Sequence, residues 1–460
     1  MEQIGRISMN QEQIRVALPE NVKYIIETIE TAGFEAFAVG GCVRDSILGK
    51  EPNDWDITTS ALPGQVKALF GHTIDTGIQH GTVTVMRHHQ GYEVTTYRID
   101  GEYEDSRHPK EVSFTANLVE DLKRRDFTIN AMAYNEKQGI VDEFHGIEDL
   151  QNGIIRAVGD PLERFTEDAL RIMRAVRFAA QLGYEIEAET KKAISILAPN
   201  LAQISAERIQ VEFTKLLVSS HPEQMRVLYE TGITAVVMPE FDRIMETEQN
   251  NPHHCYSVGE HSIHAMQEIE SGEESLKYLR FAMLFHDFGK AETKTVDDAG
   301  IDHFHGHATI SEELTRTILR RLKFDNDTIS VVTKLVKCHD AEVEAAPKYV
   351  RRAINRMGED IFPLILRVKR ADVMAQSTYK RAEKLQKLSE LESIYQEIIK
   401  QKECVSLKTL AVTGKDLIEA GVKPGKEIGT ILKEMLELVL EEPDRNQKEN
   451  LMQYLFTRQK

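Results

Sequence analysis

The sequence predicts an α+β protein: a small sheet of mixed strand direction in the first third, followed by an almost wholly helical remainder. Two observations carry this. Residues 81–86 (GTVTVM) and 92–98 (YEVTTYR) alternate and are rich in β-branched side chains, as half-buried strands are. From Pro161 onward, apolar residues recur at helical spacing. At 460 residues, two to four domains are expected.

In chain order, Asn21 to Ala32 reads as an amphipathic helix and Ala36 to Val39 as a short strand. Gly40-Gly41 then opens a helix through Leu48. Trp55 to Thr59 reads as a strand, and Leu62-Pro63 starts a helix ending near Phe70. The two alternating runs form a hairpin around His89-Gln90-Gly91, and Val141 to Phe144 adds an edge. Arg164 to Leu182 shows unbroken helical spacing until Gly183 stops it, and Ala188 to Leu217 continues alike. The polar stretch Lys294 to His305 reads as a hairpin or lid, and Gly421 to Gly425 breaks the last helices.

The net charge of −17 argues against a general nucleic-acid coat but leaves room for a local basic face. Such a face is offered by Lys348 to Lys387, with eleven Lys and Arg against four Asp and Glu. No apolar run reaches the ~18 residues of a membrane span, so no membrane partner is expected. The four cysteines are scattered and Met1 to Pro19 lacks a signal-peptide core, which points to a reducing cytoplasm.

Asp54 and Asp56 are the most informative pair. On a strand, side chains at i and i+2 share a face, and two carboxylates so placed can grip divalent cations. The upstream glycines bring backbone N–H groups that attract phosphate. Metal beside a phosphate cradle suggests chemistry on a nucleoside triphosphate. A third carboxylate must come from a neighbouring strand, and Glu93 is the candidate.

Four motifs, GGCVRD at 40–45, DWD at 54–56, RRDFTINAMAY at 124–134 and EDALRIMRAVRF at 167–178, resemble in order and spacing the class II tRNA nucleotidyltransferases. That family comprises the CCA-adding enzymes and the related bacterial poly(A) polymerases. The resemblance implies template-independent addition of CMP and AMP, from CTP and ATP, to tRNA 3′ ends. It also implies catalytic Mg²⁺ on Asp54 and Asp56, and a triphosphate site at Gly40, Gly41 and Arg44 helped by Arg125. Asp168, Arg171, Arg174 and Arg177 would form the nucleotide-selecting helix. The segment Arg98 to Val112 matches the family's flexible loop.

Selection has a physical basis. Asp168 and Arg171 are i, i+3 neighbours; a carboxylate only accepts hydrogen bonds and a guanidinium only donates. Cytosine and adenine each offer an amino donor beside a ring-nitrogen acceptor, whereas uracil and guanine present the reverse. Buried groups left unpaired against U or G cost roughly 1–3 kcal/mol each.

Farther along, His261, the adjacent His286-Asp287, His307, His339 and Asp372 fall on successive helical segments. A buried His-Asp pair needs a reason, and a metal supplies one. Imidazole with carboxylate suits Mn, Fe, Co, Ni or Mg. His261, His286, Asp287 and Asp372 resemble the four ligand positions of the HD phosphohydrolase superfamily, with His307 and His339 matching the extra histidines of binuclear members. His264 rivals His261, and Asp340 rivals Asp372. The resemblance implies phosphatase or cyclic phosphodiesterase chemistry.

The expected organisation is a nucleotidyltransferase head (20–160), a helical neck (161–245), an HD domain (250–380) and a helical tRNA-binding tail (381–460). A CC-adding enzyme, a poly(A) polymerase, and an HD phosphohydrolase with an RNA-binding head remain as alternatives.

Overall fold

The computed structural model describes residues 14–100, 112–272 and 275–458. It comprises two compact units, Met1–Pro239 and Glu240–Lys460.

The first unit opens with α1 (Glu20–Thr31), β1 (Ala36–Val39), α2 (Gly41–Ile47), β2 (Ile57–Thr59) and α3 (Pro63–Leu69). Next come β3 (Thr73–Gly77), β4 (Thr82–Arg87), β5 (Gln90–Thr96), β6 (Arg98–Asp100), β7 (Val112–Phe114) and α4 (Leu118–Lys123). The sheet is completed by β8 (Ala133–Asn135) and β9 (Gly139–Val141), giving the order β3-β4-β5-β2-β1-β8-β9. β2 and β5 run parallel and the other neighbours antiparallel, so the sheet is mixed as expected. Phe37, Tyr97 and Leu122 are fully buried against it, each contributing about 1.5–3 kcal/mol of hydrophobic burial. Buried Asp121 ties the sheet to α4, accepting from Thr58 Oγ1 and from the Arg98 backbone N–H.

Several elements differ from the sequence expectation. β2 begins at Ile57, so Asp54 and Asp56 lie on the irregular segment that enters it rather than on the strand. The hairpin turns at His88-His89, both at positive φ, one step earlier than the Gly91 signal suggested. β3 was not foreseen; it is a largely exposed edge strand with little apolar alternation. Of the loop expected at Arg98 to Val112, residues 101–111 lie outside the described residues, and its flanks β6 and β7 pair antiparallel.

Helices α5 (Gly146–Asn152) and α6 (Pro161–Glu167) lead, past β10 (Ile154–Ile155), to α7 (Leu170–Leu182). The helix expected over Arg164–Leu182 is therefore two. Asp168 is extended, and its Oδ1 accepts from the Leu170 N–H, starting a new helix at the point where spacing alone showed no break. Gly183, left-handed at φ 70°, ends α7 as expected. After β11 (Glu185–Ile186), α8 (Ala188–Leu197) and α9 (Ala206–Leu217) are separated by a 3₁₀ segment, Ala198–Gln203, that contains Pro199. Two short helices follow, α10 (Met225–Glu230) and α11 (Ile233–Val237).

The chain continues through α12 (Pro239–Met245), α13 (Val258–Gln267), α14 (Leu276–Phe285) and α15 (Lys290–Thr293). The polar hairpin at Lys294 to His305 is present as β12 (Thr295–Val296) and β13 (Asp302–His303). Then come α16 (His307–Arg321), α17 (Asn326–Cys338), α18 (Pro347–Met357), α19 (Phe362–Ala375) and α20 (Arg381–Lys400). The last are α21 (Gly414–Glu419), α22 (Lys426–Glu441) and α23 (Lys448–Arg458). α14 is buried from Leu279 onward, which makes it the central helix its run of apolar residues requires. Among the described residues no helix is long and apolar enough to cross a membrane.

Candidate functional sites

Asp54, Asp56 and Glu93 line one cleft of about 760 Å³ in the first unit. The parallel register of β2 and β5 pairs Ile57 with Val94. One residue back, Asp56 stands beside Glu93, which is how a strand supplies the third acid. Crowding by the cleft walls raises the Asp56 pKa; Arg125 opposes the rise and Asp54 adds to it. Glu93 is raised by the same partial desolvation, then by Asp56 and Asp54. The three acids thus repel one another across the cleft, the situation a bound divalent cation relieves. Gly40 sits at φ 84°, and a Cβ there would stand 2.9 Å from Arg125 Nη1, so glycine lets this cation close over the backbone.

The second unit holds a denser arrangement. His261 comes from α13, the His286-Asp287 pair ends α14, His307 begins α16, His339 follows α17, and Asp372 lies on α19. Among the described residues, the groups of three or more ligand atoms within 4.8 Å of one another are His261-His286-Asp287 and Asp287-His307-His339, which share Asp287. The head carboxylates are spread more widely. Asp287 Oδ2 is 3.2 Å from His286 Nε2, and Oδ1 is 3.3 Å from His307 Nε2 and 3.7 Å from His339 Nε2. Asp372 Oδ1 is 2.9 Å from His261 Nε2.

The ring orientations are fixed from behind. His286 Nδ1 donates to the Met283 carbonyl at 2.7 Å, His307 Nδ1 to Phe304 at 2.9 Å, and His339 Nδ1 to Val336 at 2.7 Å. A carbonyl only accepts, so each Nδ1 carries hydrogen, and in the neutral ring each Nε2 presents a lone pair. Yet Nε2 of His307 faces Nε2 of His339 at 3.2 Å; Nε2 of His261, whose tautomer no carbonyl fixes, lies 3.2 Å from that of His286 and 2.9 Å from Asp372 Oδ1. Lone pairs meeting in a buried site demand a proton or a metal ion between them. Burial alone would lower the His286 pKa, but Asp287 and Asp372 raise it to about 10. Burial would raise Asp287, but His286 and Lys290 hold it well below the ordinary carboxylate range.

Three family models match the chain: "Poly A polymerase head domain" over residues 36–156, "Probable RNA and SrmB- binding site of polymerase A" over 183–245, and tRNA nucleotidyltransferase domain 2 over 297–455. A CCA-adding enzyme of Leuconostoc mesenteroides is 58% identical over 200 residues, spanning 44% of this chain and half of that relative. The CCA-adding enzyme of Levilactobacillus brevis is 38% identical over 90% of this chain and 91% of its own. The chain belongs to the CCA-adding enzymes. It is a nucleotidyltransferase. The solved CCA-adding enzyme of Bacillus stearothermophilus, in complex with CTP, is 31% identical and superimposes with a TM-score of 0.69 over 95% of this chain and 97% of that one.

The other residues that family resemblance singles out are brought near one another, with partners the sequence did not show. Arg44 is buried and tied to Asp45 (Nε, 2.9 Å) and Asn130 (Nη1, 2.6 Å), with Gly41 against its Nη2. Asp168 and Arg171 do not bond side chain to side chain as their spacing suggested, because Asp168 sits before α7 rather than on its surface. Asp168 Oδ2 accepts from Arg208 of α9 at 2.9 Å, while Arg171 Nη1 donates to Glu167 at 2.7 Å and Nη2 to the Arg124 carbonyl at 2.9 Å. Arg174 grips Asp126 through Nε at 2.7 Å. Arg177 is buried, pairs with Glu212 at 2.8 Å and lies over Phe178, so it packs α7 on α9 instead of facing an open surface.

Sequence reasoning missed Arg208 and Glu212, whose only signal is spatial, and gave no role to Asp126, which lies inside the motif at 124–134. It also missed Lys290, which donates to Asp287 Oδ2 at 2.7 Å; its place three residues after Asp287 on a helical turn could have revealed it. The rivals are resolved: His264 stacks on Tyr256 at 4.1 Å outside the cluster, and Asp340 is exposed. Part of the basic window is consumed internally, with Arg351 buried against Glu403 and the Leu440 carbonyl.

Proposed function

We propose that this enzyme adds C, C and A to tRNA 3′ ends from CTP and ATP at the first-unit cleft. We also propose that its second unit is a metal-dependent phosphohydrolase centre of the HD type. The four-part organisation of head, neck, HD domain and tail belongs to the same proposal. The observation that supports the first activity is the trio of mutually repelling acids beside Arg125 in a chain of this family.

Asp54, Asp56 and Glu93 would hold magnesium. Bound there, it supplies charge neutralisation and a more acidic 3′-hydroxyl. The terminal ribose oxygen of tRNA bonds to the α-phosphorus, its hydroxyl proton is released to water, and the bond to the pyrophosphate oxygen breaks. Arg125 adds positive charge where the triphosphate collects. Asp168 is oriented by the Arg208 hydrogen bond and keeps lone pairs for a base amino group, while Arg171 keeps N–H donors for a ring nitrogen.

The cluster fits metal through its donor set: bare Nε2 atoms and carboxylate oxygens converge on Asp287, the arrangement hard and borderline divalent ions take. Mn, Fe, Co, Ni or Mg would be held by His261, His286, Asp287 and Asp372 and by Asp287, His307 and His339. Metal there supplies an activated water for phosphate ester hydrolysis.

The test is incubation of end-trimmed tRNA with Mg²⁺ and labelled CTP or ATP, read at nucleotide resolution. Asp56→Ala is expected to abolish both incorporations in a folded protein; full incorporation ends the assignment. Runs of A beyond one residue would point to a poly(A) polymerase. Metal-dependent phosphate ester hydrolysis should vanish in His286→Ala.

A further inference from the structure

The ring of Phe178, on α7, lies among three guanidinium groups. Arg177 Cζ stands 3.7 Å from its centroid, Arg44 Cζ of α2 5.0 Å, and Arg174 Cζ, one turn back on α7, 5.5 Å. The ring is buried and meets Phe127 edge to face at 5.8 Å. Three like charges around one side chain repel. Burial lowers the Arg177 pKa; Glu212 opposes this and Arg174 adds to it. Apolar packing alone gives no reason to gather cations here, whereas the negative face of an aromatic ring attracts them.

A polar chain joins two of the same arginines. Arg44 Nη1 donates to Asn130 Oδ1 at 2.6 Å, Asn130 Nδ2 to Asp126 Oδ1 at 3.1 Å, and Arg174 Nε to Asp126 Oδ2 at 2.7 Å. Phe178 spans the two ends of that chain. Arg44 also gives Nε and Nη2 to Asp45 Oδ1, at 2.9 and 2.8 Å. A guanidinium has five N–H groups, so among the described residues two of Arg44's are left over. A Cβ on Gly41 would stand 3.6 Å from Nη2 and cover that side, which glycine leaves bare. A second carboxylate against Arg44 would cancel its charge. A ring holds the cation in place and leaves the charge for phosphate.

We propose that Phe178 is a positioning residue for nucleotide transfer: its ring sets the spacing between Arg44, which meets the β- and γ-phosphates of the incoming nucleotide, and the base-reading start of α7. This rests on the nucleotide-transfer reading above. The ring touches no substrate and acts through Arg44 and Arg174. Arg171, Arg174 and Phe178 follow at i, i+3 and i+7, so one stripe of α7 carries the base-facing arginine and the ring. When the negative ring face is lost and its bulk kept, Arg44 has only Asp45 and Asn130 to hold it and drifts from the triphosphate. Base selection, which rests on Asp168 and Arg171, is left as it was.

Site-specific replacement of Phe178 by trifluorophenylalanine removes the negative face at nearly constant shape, and Phe178→Leu removes the ring. Both are made in the full-length protein and assayed on end-trimmed tRNA with Mg²⁺. The trifluorinated protein is expected to show KM for CTP and for ATP raised at least about fivefold, with KM for tRNA and the CTP-to-UTP ratio of kcat/KM unchanged. A monofluorinated ring should give an intermediate KM, and Phe178→Leu a rise at least as large as the trifluorinated one. CMP, which lacks the β- and γ-phosphates, should lose less as a competitive inhibitor than CTP loses in KM. An unchanged KM for CTP in the trifluorinated protein overturns the proposal, even where Phe178→Leu lowers the thermal midpoint, since the ring then only packs. A matching rise in KM for tRNA overturns it too, and equal losses for CTP and CMP overturn the assignment of Arg44 to the outer phosphates. A wild type that incorporates neither CTP nor ATP overturns instead the nucleotide-transfer reading, and is seen independently of Phe178.

Discussion

Asp56, on the wall of an open cleft, and Asp126, buried, show opposite shifts of a carboxyl. Asp56 has its pKa raised by crowding and by Asp54, so its ionised form is held at a cost when no cation is present. An acid raised in the folded state favours folding while protonated, and that contribution is lost as pH rises through its folded value. Asp56→Asn should therefore raise the thermal midpoint in EDTA at pH 7 while lowering nucleotide transfer at least about 100-fold. A lower midpoint together with full activity would contradict both halves. For Asp126, burial alone would raise the pKa, but Arg174, the Asn130 amide and Arg171 bring it to about 2, from an ordinary 3.8. A depressed carboxyl stabilises above its unfolded pKa and loses that as pH falls through the folded one. Asp126→Asn is expected to cost about 2 kcal/mol at pH 7. In urea titrations the gap to wild type should hold down to about pH 4.5 and shrink below about 3.8. A gap that does not change with pH would mean the loss comes from packing. Neither environment was legible beforehand: the sequence marked Asp56 by its spacing to Asp54, whereas Asp126 acquires its role from an arginine 48 residues away.

At the scale of elements, local signals were readable and long-range partners were not. β1, the stop of α7 at Gly183 and the hairpin at Lys294 to His305 follow from residue type and spacing. The metal-type cluster was visible because a His-Asp pair inside an apolar run is costly to bury unless a cation or a proton compensates it. The break at Asp168 was hidden, since helical periodicity continues through it and only a side-chain cap interrupts the backbone. Arg208 was hidden because α9 meets Asp168 only through folding. Its geometry would make it a positioning residue in the proposed reaction: it orients the carboxylate proposed to read the base amino group. Arg208→Gln should reduce the preference for CTP over UTP roughly tenfold, near the ~1–3 kcal/mol cost of one mispaired buried group, and Arg208→Lys should restore part of it. A purely structural ion pair would lower the thermal midpoint and leave the CTP-to-UTP ratio of kcat/KM untouched.

At the scale of the whole molecule, the proposed sites would give the two units different dependences on metal. In the first, three partly exposed acids line an open cleft, and removing a cation leaves them repelling across water. In the second, His286, Asp287 and His339 are buried, and the Nδ1 bonds of His286 and His339 turn their Nε2 atoms toward those of His261 and His307. Without a cation that site must take up protons or open, so the metal binding proposed there would be coupled to folding. A ligand at 1,000 times its dissociation constant stabilises by about 4 kcal/mol. Chelation should therefore lower the unfolding transition of the second unit by several degrees. The transition of the first unit should shift far less. Differential scanning calorimetry with and without EDTA resolves the two, and His286→Ala should abolish the chelator-sensitive shift while CTP incorporation into end-trimmed tRNA persists in Mg²⁺. If EDTA leaves both transitions where they were, the facing imidazoles are satisfied by a shared proton, and the second unit has no metal to lose.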